Sequence, residues 1–169
     1  MSLLFGNQSS FGARVVGPSG PYLLSGDRVT YFVWARPLSV GNRLVGRLIN
    51  FGNSTTDNST AWRARFQYAS TNRWGLVIPT ASTSGQWFSD NNTLVLDVWQ
   101  SLAATYDFGD PTTAPLLYRN GAAVTVNQAA GLVGAVNVDG QVYYVGNDPS
   151  QNNACDSKLA HVAVWGRVL

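Results

Sequence analysis

VWQSLAATYDFGDPTTAPLLYRNGAAVTV, residues 98–126, is the stretch on which the fold turns. From Trp99 to Asp107 the apolar residues Leu102, Ala104 and Tyr106 recur at every second position, the period of a half-buried β-strand. After a loop, residues 116–119 meet residues 122–126 across Asn120-Gly121, a dipeptide that readily takes the positive φ angles of a two-residue hairpin turn. A strand, a loop and a hairpin in close succession commit this part of the chain to antiparallel sheet.

The composition outside this stretch agrees. Of eleven basic residues ten are Arg and only Lys158 is Lys, while all nine acidic residues are Asp and Glu is absent. Lys and Glu commonly coat exposed helices, so their scarcity argues against long surface helices. Abundant Val, Trp, Tyr and Phe among Gly, Ser, Thr and Asn instead describe strands joined by turns. With 169 residues, 45% of them hydrophobic, residues 1–169 fit one domain whose core needs neither metal nor disulfide.

Several functions are excluded at this level. A net charge of +2 lacks the concentrated positive charge that nucleic-acid binding uses. No run approaches the ~20 apolar residues of a membrane-spanning helix, and no membrane insertion is expected. The single Cys155 cannot form an internal disulfide. The start, MSLLFGN, lacks the charged segment and long apolar core of a secretory signal, so the chain is expected to fold where it is made.

Taken in order, strands are expected at 2–5, 13–16, 29–36, 47–51, 62–68, 74–78, 86–88, 99–107, 116–119, 122–126, 141–145 and 159–165. In 29–36 both alternating faces are apolar, which suits a strand buried on two sides, and Pro37 ends it. In 62–68, Trp62, Ala64, Phe66 and Tyr68 face one way and Arg63, Arg65 and Gln67 the other, which predicts a wet face. In 159–165 a single alternating face holds Leu159, His161, Ala163 and Trp165, so His161 reads as a hydrogen-bonded structural residue. The regular turns between these strands predict an all-β sandwich or barrel.

Four pieces in this order resemble the laminin-G-like branch of the concanavalin A-like lectin/glucanase jelly rolls. They are Thr30-Tyr31-Phe32-Val33-Trp34-Ala35-Arg36-Pro37, the strand from Trp99 to Asp107, Leu117-Tyr118-Arg119-Asn120-Gly121, and Tyr144-Val145-Gly146 followed by the tail from Leu159 to Leu169. The resemblance covers almost the full length. It implies a two-sheet antiparallel jelly-roll sandwich, with Trp99, Leu102, Tyr106 and Tyr118 as scaffold and function on the rims and faces. The chain departs from the pattern at His161, where the family's closing strand often carries an acidic residue.

The chemistry points away from an enzyme. Glucanases of that superfamily use a strand bearing Glu-x-Asp-x-Glu, whereas this chain has no Glu and no Asp-x-Asp pair to serve as acid and base. A Ser-His-Asp hydrolase would have to use His161 as its base, and one His with one Cys makes no zinc set.

Binding chemistry is better represented. Residues 43–73 hold five Arg (Arg43, Arg47, Arg63, Arg65 and Arg73) against one Asp. Arg63 and Arg65 on one strand face could pair with the carboxylate or sulfate of an acidic sugar, or form an ordinary solvated face. Trp74 and Trp87 fall near loops and could stack on sugar rings, or pack in the core. Asn91 and Asn92 follow Asp90, and Asp148, Asn152, Asn153 and Asp156 share one loop. Both groups offer oxygen ligands of the kind calcium takes, and both equally suit turns. Asp148, Asn152 and Asp156 are the candidate calcium ligands.

The expected function is non-enzymatic surface recognition of a glycan or host surface by a protein displayed on a larger assembly. A phage virion is the expected setting, as a capsid decoration or tail protein on the virion surface, with an extracellular location otherwise. Protein partners in the assembly or a homo-oligomer are expected with it. The alternative is a purely structural decoration or docking protein without a ligand.

Overall fold

The computed structural model describes residues 3–5, 15–16, 28–41, 44–51, 65–78, 80, 82–110, 112–133, 143–148 and 153–169. Among them are two sheets. The six-stranded sheet runs, edge to edge, β1 (Leu3–Phe5), β13 (Ser157–Trp165), β3 (Arg28–Pro37), β8 (Gln100–Asp107), β9 (Leu116–Arg119) and β10 (Ala122–Val124). The seven-stranded sheet runs β11 (Val126–Ala130), β7 (Gly85–Ser89), β6 (Arg73–Ile78), β5 (Arg65–Ala69), β4 (Arg47–Phe51), β12 (Tyr143–Val145) and β2 (Val15–Val16). Every neighbouring pair is antiparallel. This is the expected antiparallel two-sheet sandwich.

Period-2 patterning builds the core between the sheets. Val29, Tyr31, Val33 and Ala35 of β3 are all fully buried, as are Phe66 and Tyr68 of β5 and Trp74, Leu76 and Ile78 of β6. Aromatic rings then join the layers. Tyr31 of the six-stranded sheet meets Phe51 edge-on at 5.8 Å and stacks near Phe66 at 6.1 Å. Trp87 of the seven-stranded sheet meets Tyr106 at 5.5 Å, and Tyr106 meets Phe108 edge-on at 5.0 Å. Burying one such side chain is worth roughly 1.5–3 kcal/mol, and the pairing geometry adds to it. A polar link crosses this core at Tyr68, whose hydroxyl lies 2.9 Å from Ser157 Oγ.

The deciding stretch folds as read up to its last residues. Asn120 and Gly121 take φ angles of 51° and 78°, and Arg119 faces Ala122 across a two-residue turn. The Asn120 side chain accepts a hydrogen bond from the Ser101 N–H at 2.9 Å, tying the turn to β8. The second arm, however, pairs only through Val124. Val126 begins β11, which lies in the opposite sheet beside β7, so the expected strand 122–126 is two strands meeting at a corner.

Four further expectations change. The outer face of β3 is not covered: Trp34 is 38% exposed and Phe32 half-buried. Arg65 and Gln67 do not form a wet face either, since Gln67 is buried and Arg65 half-buried. The rows beside them carry large side chains, with Arg47 opposite Gln67 and Ala69, Val77 and Phe88 forming a second buried cluster. Tyr118, read as scaffold, is half-buried on an outer face, whereas Leu102 and Tyr106 are in the core.

His161 is the fourth. The register of β13 against β3 shifts between Ala160 and Ala163, and His161 sits in that bulge with φ 49°, exposed. An extra residue in one strand reverses the side-chain alternation beyond it. Leu159, opposite Ala35, therefore points into the core, while Ala163 and Trp165, opposite Phe32 and Thr30, point out. His161 is thus no core histidine; it marks the place where the strand changes face.

Candidate functional site

The outer face of the seven-stranded sheet concentrates the chain's recognition chemistry. Because Phe66, Tyr68, Trp74, Leu76 and Trp87 point into the core, the residues alternating with them point away from it. Register then places two rows across this face. One runs Tyr144, Asn50, Arg65, Val77, Gln86, and the next Arg47, Gln67, Gly75, Phe88, Asn127. Gly75 is required: a Cβ there would sit 2.0 Å from the Trp87 carbonyl oxygen, so no larger residue lets β6 and β7 pair. It also leaves the second row without a side chain between Gln67 and Phe88.

The charge of this face is one-sided. The strands of this sheet contain Arg47, Arg65 and Arg73 and no acidic residue. Arg47 is only 4% exposed, and Arg65 and Arg73 are half-buried. The Arg73 guanidinium lies 4.8 Å above the Phe88 ring, a cation–π contact that holds the head group against the sheet. Beside these cations lie buried amides. Neither Asn50 Oδ1 nor Nδ2 has a hydrogen-bond partner, and Gln67 Oε1 has none, although Asn50 is 0% and Gln67 5% exposed. Nearly all buried polar groups in proteins are paired, and leaving one unpaired costs about 1–3 kcal/mol. A face with guanidinium forks and spare amide donors and acceptors suits a ligand carrying a carboxylate or sulfate among hydroxyls.

The predicted site residues separate. Arg65 is on this face, while Arg63 lies outside the described residues. Trp74 and Trp87 are core residues at 0% and 1% exposure, packed against Phe66 and Tyr106. Rings with no open face stack on no sugar, so these two are corrected from ligand-binding to structural. Asn91 and Asn92 are exposed and bound to the β5–β6 turn: Thr71 Oγ1 donates to Asn91 Oδ1 at 2.7 Å, and the Asn92 N–H donates to the Thr71 carbonyl at 2.9 Å. They therefore stand at the end of the sheet where Arg73 begins β6.

Of the proposed calcium ligands, Asp148 and Asp156 are among the described residues. Asn152 lies outside them. Asp148 is buried and accepts a hydrogen bond from Asn153 Nδ2. Asn147 Oδ1 accepts from the N–H groups of Asp148 and Asn153 at 2.9 and 3.3 Å. Asp156 is half-buried, and its carbonyl caps Leu38 and Ser39. These oxygens serve the turn itself, and no group of three or more His, Cys, Asp or Glu among the described residues is placed to hold a metal.

Sequence reading missed Arg47, Arg73 and Asn50 as members of this face, and placed Gln67 beside Arg65 without reading it as a binding residue. The Arg-rich run 43–73 was the available signal for the two arginines. Nothing comparable marked the amides, which look like ordinary outward residues in alternating strands.

Comparison with known proteins places this geometry. A family model described as the concanavalin A-like lectin/glucanases superfamily matches residues 12–169. The native heptameric SAP-like pentraxin from Limulus polyphemus superposes with a TM-score of 0.68 at 16% identity, covering 98% of this chain and 75% of that one. The LG4-5 domains of the mouse laminin α1 chain give a TM-score of 0.64 at 11% identity, covering 96% of this chain and 40% of theirs. The CBM40 of the Ruminococcus gnavus IT-sialidase, bound to α2,3 sialyllactose, gives 0.63 at 14% identity over 92% and 91% of the two chains. This chain therefore spans less than half of the laminin fragment and nearly all of the CBM40. No curated protein matches it in sequence.

Proposed function

This chain belongs to the concanavalin A-like lectin/glucanases superfamily, and we propose that within it the protein is a non-catalytic recognition module for an acidic glycan. The observation that carries this reading is the outer face of the seven-stranded sheet, where Arg47, Arg65 and Arg73 lie beside the Asn50 amide and the Gln67 Oε1, buried without hydrogen-bond partners among the described residues, with no acidic residue in the strands. Guanidinium groups pair bidentately with carboxylates, and amides match sugar hydroxyls. The CBM40 bound to sialyllactose, a saccharide with a carboxylate, supports the ligand class. With no Glu in the chain, the Glu-x-Asp-x-Glu strand of the superfamily's glucanases has no counterpart here.

Display on a larger assembly, a virion surface included, belongs to the same proposal. The heptameric pentraxin supports repeated use of this fold unit in one particle. Recovery of the chain at fixed stoichiometry on purified particles is the expected result, and a free monomer absent from every particle would end that part of the reading.

The ligand part is tested on a glycan array holding sialylated, sulfated and neutral saccharides. Binding should favour the acidic members and weaken with salt, since a guanidinium–anion contact is screened. Arg65→Ala with Arg73→Ala should reduce it at least tenfold, as charged hydrogen bonds are worth about 1.5–3 kcal/mol each. Undiminished binding by the folded double variant would remove this face from consideration.

A further inference from the structure

The six-stranded sheet has an outer face of a different kind. Register brings Trp165 beside Thr30, Thr30 beside Thr105, Phe32 beside Ala103, and Ala103 beside Tyr118. These residues line a groove of about 390 Å³, within the usual ~300–1,000 Å³ of small-molecule sites. Phe32 and Trp165 meet edge-on at 6.4 Å and 62°, leaving ring surface to form the groove's wall. No charged side chain lines it.

Its hydroxyls fall into two sets. Thr30 Oγ1 donates to the Arg167 carbonyl at 2.7 Å and accepts from the Leu169 N–H at 3.2 Å, so it pins the segment that closes one side. Ser101, Thr105 and Tyr118 have hydroxyls that no hydrogen bond engages among the described residues. An aromatic wall therefore faces three hydroxyls without protein partners, that of Thr105 the most enclosed, in a cleft with no charged side chain. The bulge at His161 is what makes this wall, because without it Trp165 would point inward.

We propose that this groove is a second ligand site, taking one ring of a neutral saccharide. A hexopyranose has an apolar C–H face suited to the rings of Trp165 and Phe32 and an equatorial set of hydroxyls suited to Ser101, Thr105 and Tyr118. A charged sugar would find no counter-ion here, and a purely aliphatic ligand would leave three hydroxyls desolvated without partners. The site is independent of the arginine face, which lies on the other sheet.

Titration calorimetry with maltose, cellobiose, lactose and chitobiose tests it on the intact chain. At least one should bind, with millimolar sugar sufficient to saturate. Trp165→Ala should weaken that binding about tenfold or more, as loss of a buried aromatic anchor does. Thr105→Val keeps the shape and removes one hydroxyl, and should weaken it about 3- to 10-fold. Arg65→Ala with Arg73→Ala should leave it unchanged, so failure here is distinguishable from failure of the acidic-glycan reading. Should Trp165→Ala fold poorly, Thr105→Val and Tyr118→Phe carry the test. The proposal is overturned if none of the four sugars binds, or if binding survives these variants. It is equally overturned if sedimentation shows a concentration-dependent dimer that Thr105→Val or Trp165→Ala dissolves, for then a second copy occupies the groove.

Discussion

The two outer faces of this sandwich handle their polar groups in opposite ways. On the six-stranded sheet three arginines at the margin are engaged: Arg28 reaches Asp107 at 2.8 Å, Arg36 reaches Asp97 at 2.8 Å, and Arg119 donates to the Thr93 carbonyl at 2.6 Å. The middle of that face is left to rings and hydroxyls. On the seven-stranded sheet the strands hold three Arg and no acid, and among the described residues Asn50 Oδ1, Asn50 Nδ2 and Gln67 Oε1 are buried without hydrogen-bond partners. Both faces hang on one core, so the contrast does not come from fold. It comes from outward positions that the core leaves free to vary, and those positions are where ligand chemistry can be written without disturbing the packing.

The strongest way to break the contrast is at its structural origin. Inserting one alanine between Ala163 and Val164 keeps the bulge of β13 and slips the residues beyond the insertion by one position. Val164, which packs against the core, would turn outward, and Trp165 would turn in. Forcing a Trp into a filled core and exposing a valine should cost about 3–5 kcal/mol. For a chain of this size that is on the order of a 10 °C fall in Tm, read by calorimetry. His161→Gly is the control, since glycine takes the positive φ without strain, and its Tm should stay at or slightly above that of the parent. An insertion variant with the parent's Tm would mean that the register of β13 does not aim Trp165.

That bulge also shows what a sequence can and cannot disclose. The alternation in Trp99–Asp107 and the Asn120-Gly121 turn were legible because both depend on neighbours two or three residues away. Strands 47–51 and 116–119 match their expected bounds for the same reason. The corner at Thr125 was not legible, because alternation continues through it while the chain changes sheets. Phe32 and Trp34 resembled a second buried face, since an aromatic lining a groove and one filling a core have the same composition. Trp74 and Trp87 illustrate the converse, being close to loops along the chain and yet fully enclosed. In the candidate site, Arg65 was legible from charge, but Asn50 and Gln67 became notable only once their burial and lack of partners were known.

Those amides give the next largest effect and sharpen the contrast. Asn50 is fully buried with both side-chain polar atoms unpartnered. Leucine has nearly the same shape and no polar group to desolvate, so Asn50→Leu should stabilise the unliganded protein by about 1 kcal/mol. The same change should weaken acidic-glycan binding, as an amide kept for a ligand is a cost in its absence. Thermal melts and the glycan array read the two sides separately. A loss of stability in Asn50→Leu would show that the amide serves the fold, and the asymmetry between the faces would narrow accordingly.

The smallest effect concerns pH, and it follows from the pairing on the six-stranded sheet. Asp107 Oδ2 accepts a hydrogen bond from Arg28 Nε, and Oδ1 accepts one from the Gly109 N–H at 2.9 Å. The Arg28 bond, foremost, holds the carboxyl below the ordinary aspartate range, against a smaller opposing effect of desolvation. A carboxylate whose pKa is depressed by folding stabilises the native state above the unfolded aspartate's pKa of about 3.9 and loses that contribution as pH falls through the folded value. The group is exposed and screened by salt, so the change is small. It should nevertheless disappear in Asp107→Asn, whose melting temperature should fall less than the parent's between pH 5 and pH 3, as measured at low ionic strength with about tenfold salt as the control. The strands of the opposite sheet contain no carboxylate to protonate. The six-stranded sheet's margin should therefore contribute to the acid response, while the arginine face keeps its charge across the same range. A parallel loss of acidic-glycan binding in the parent that Asp107→Asn rescues would show that the two faces are coupled through the core.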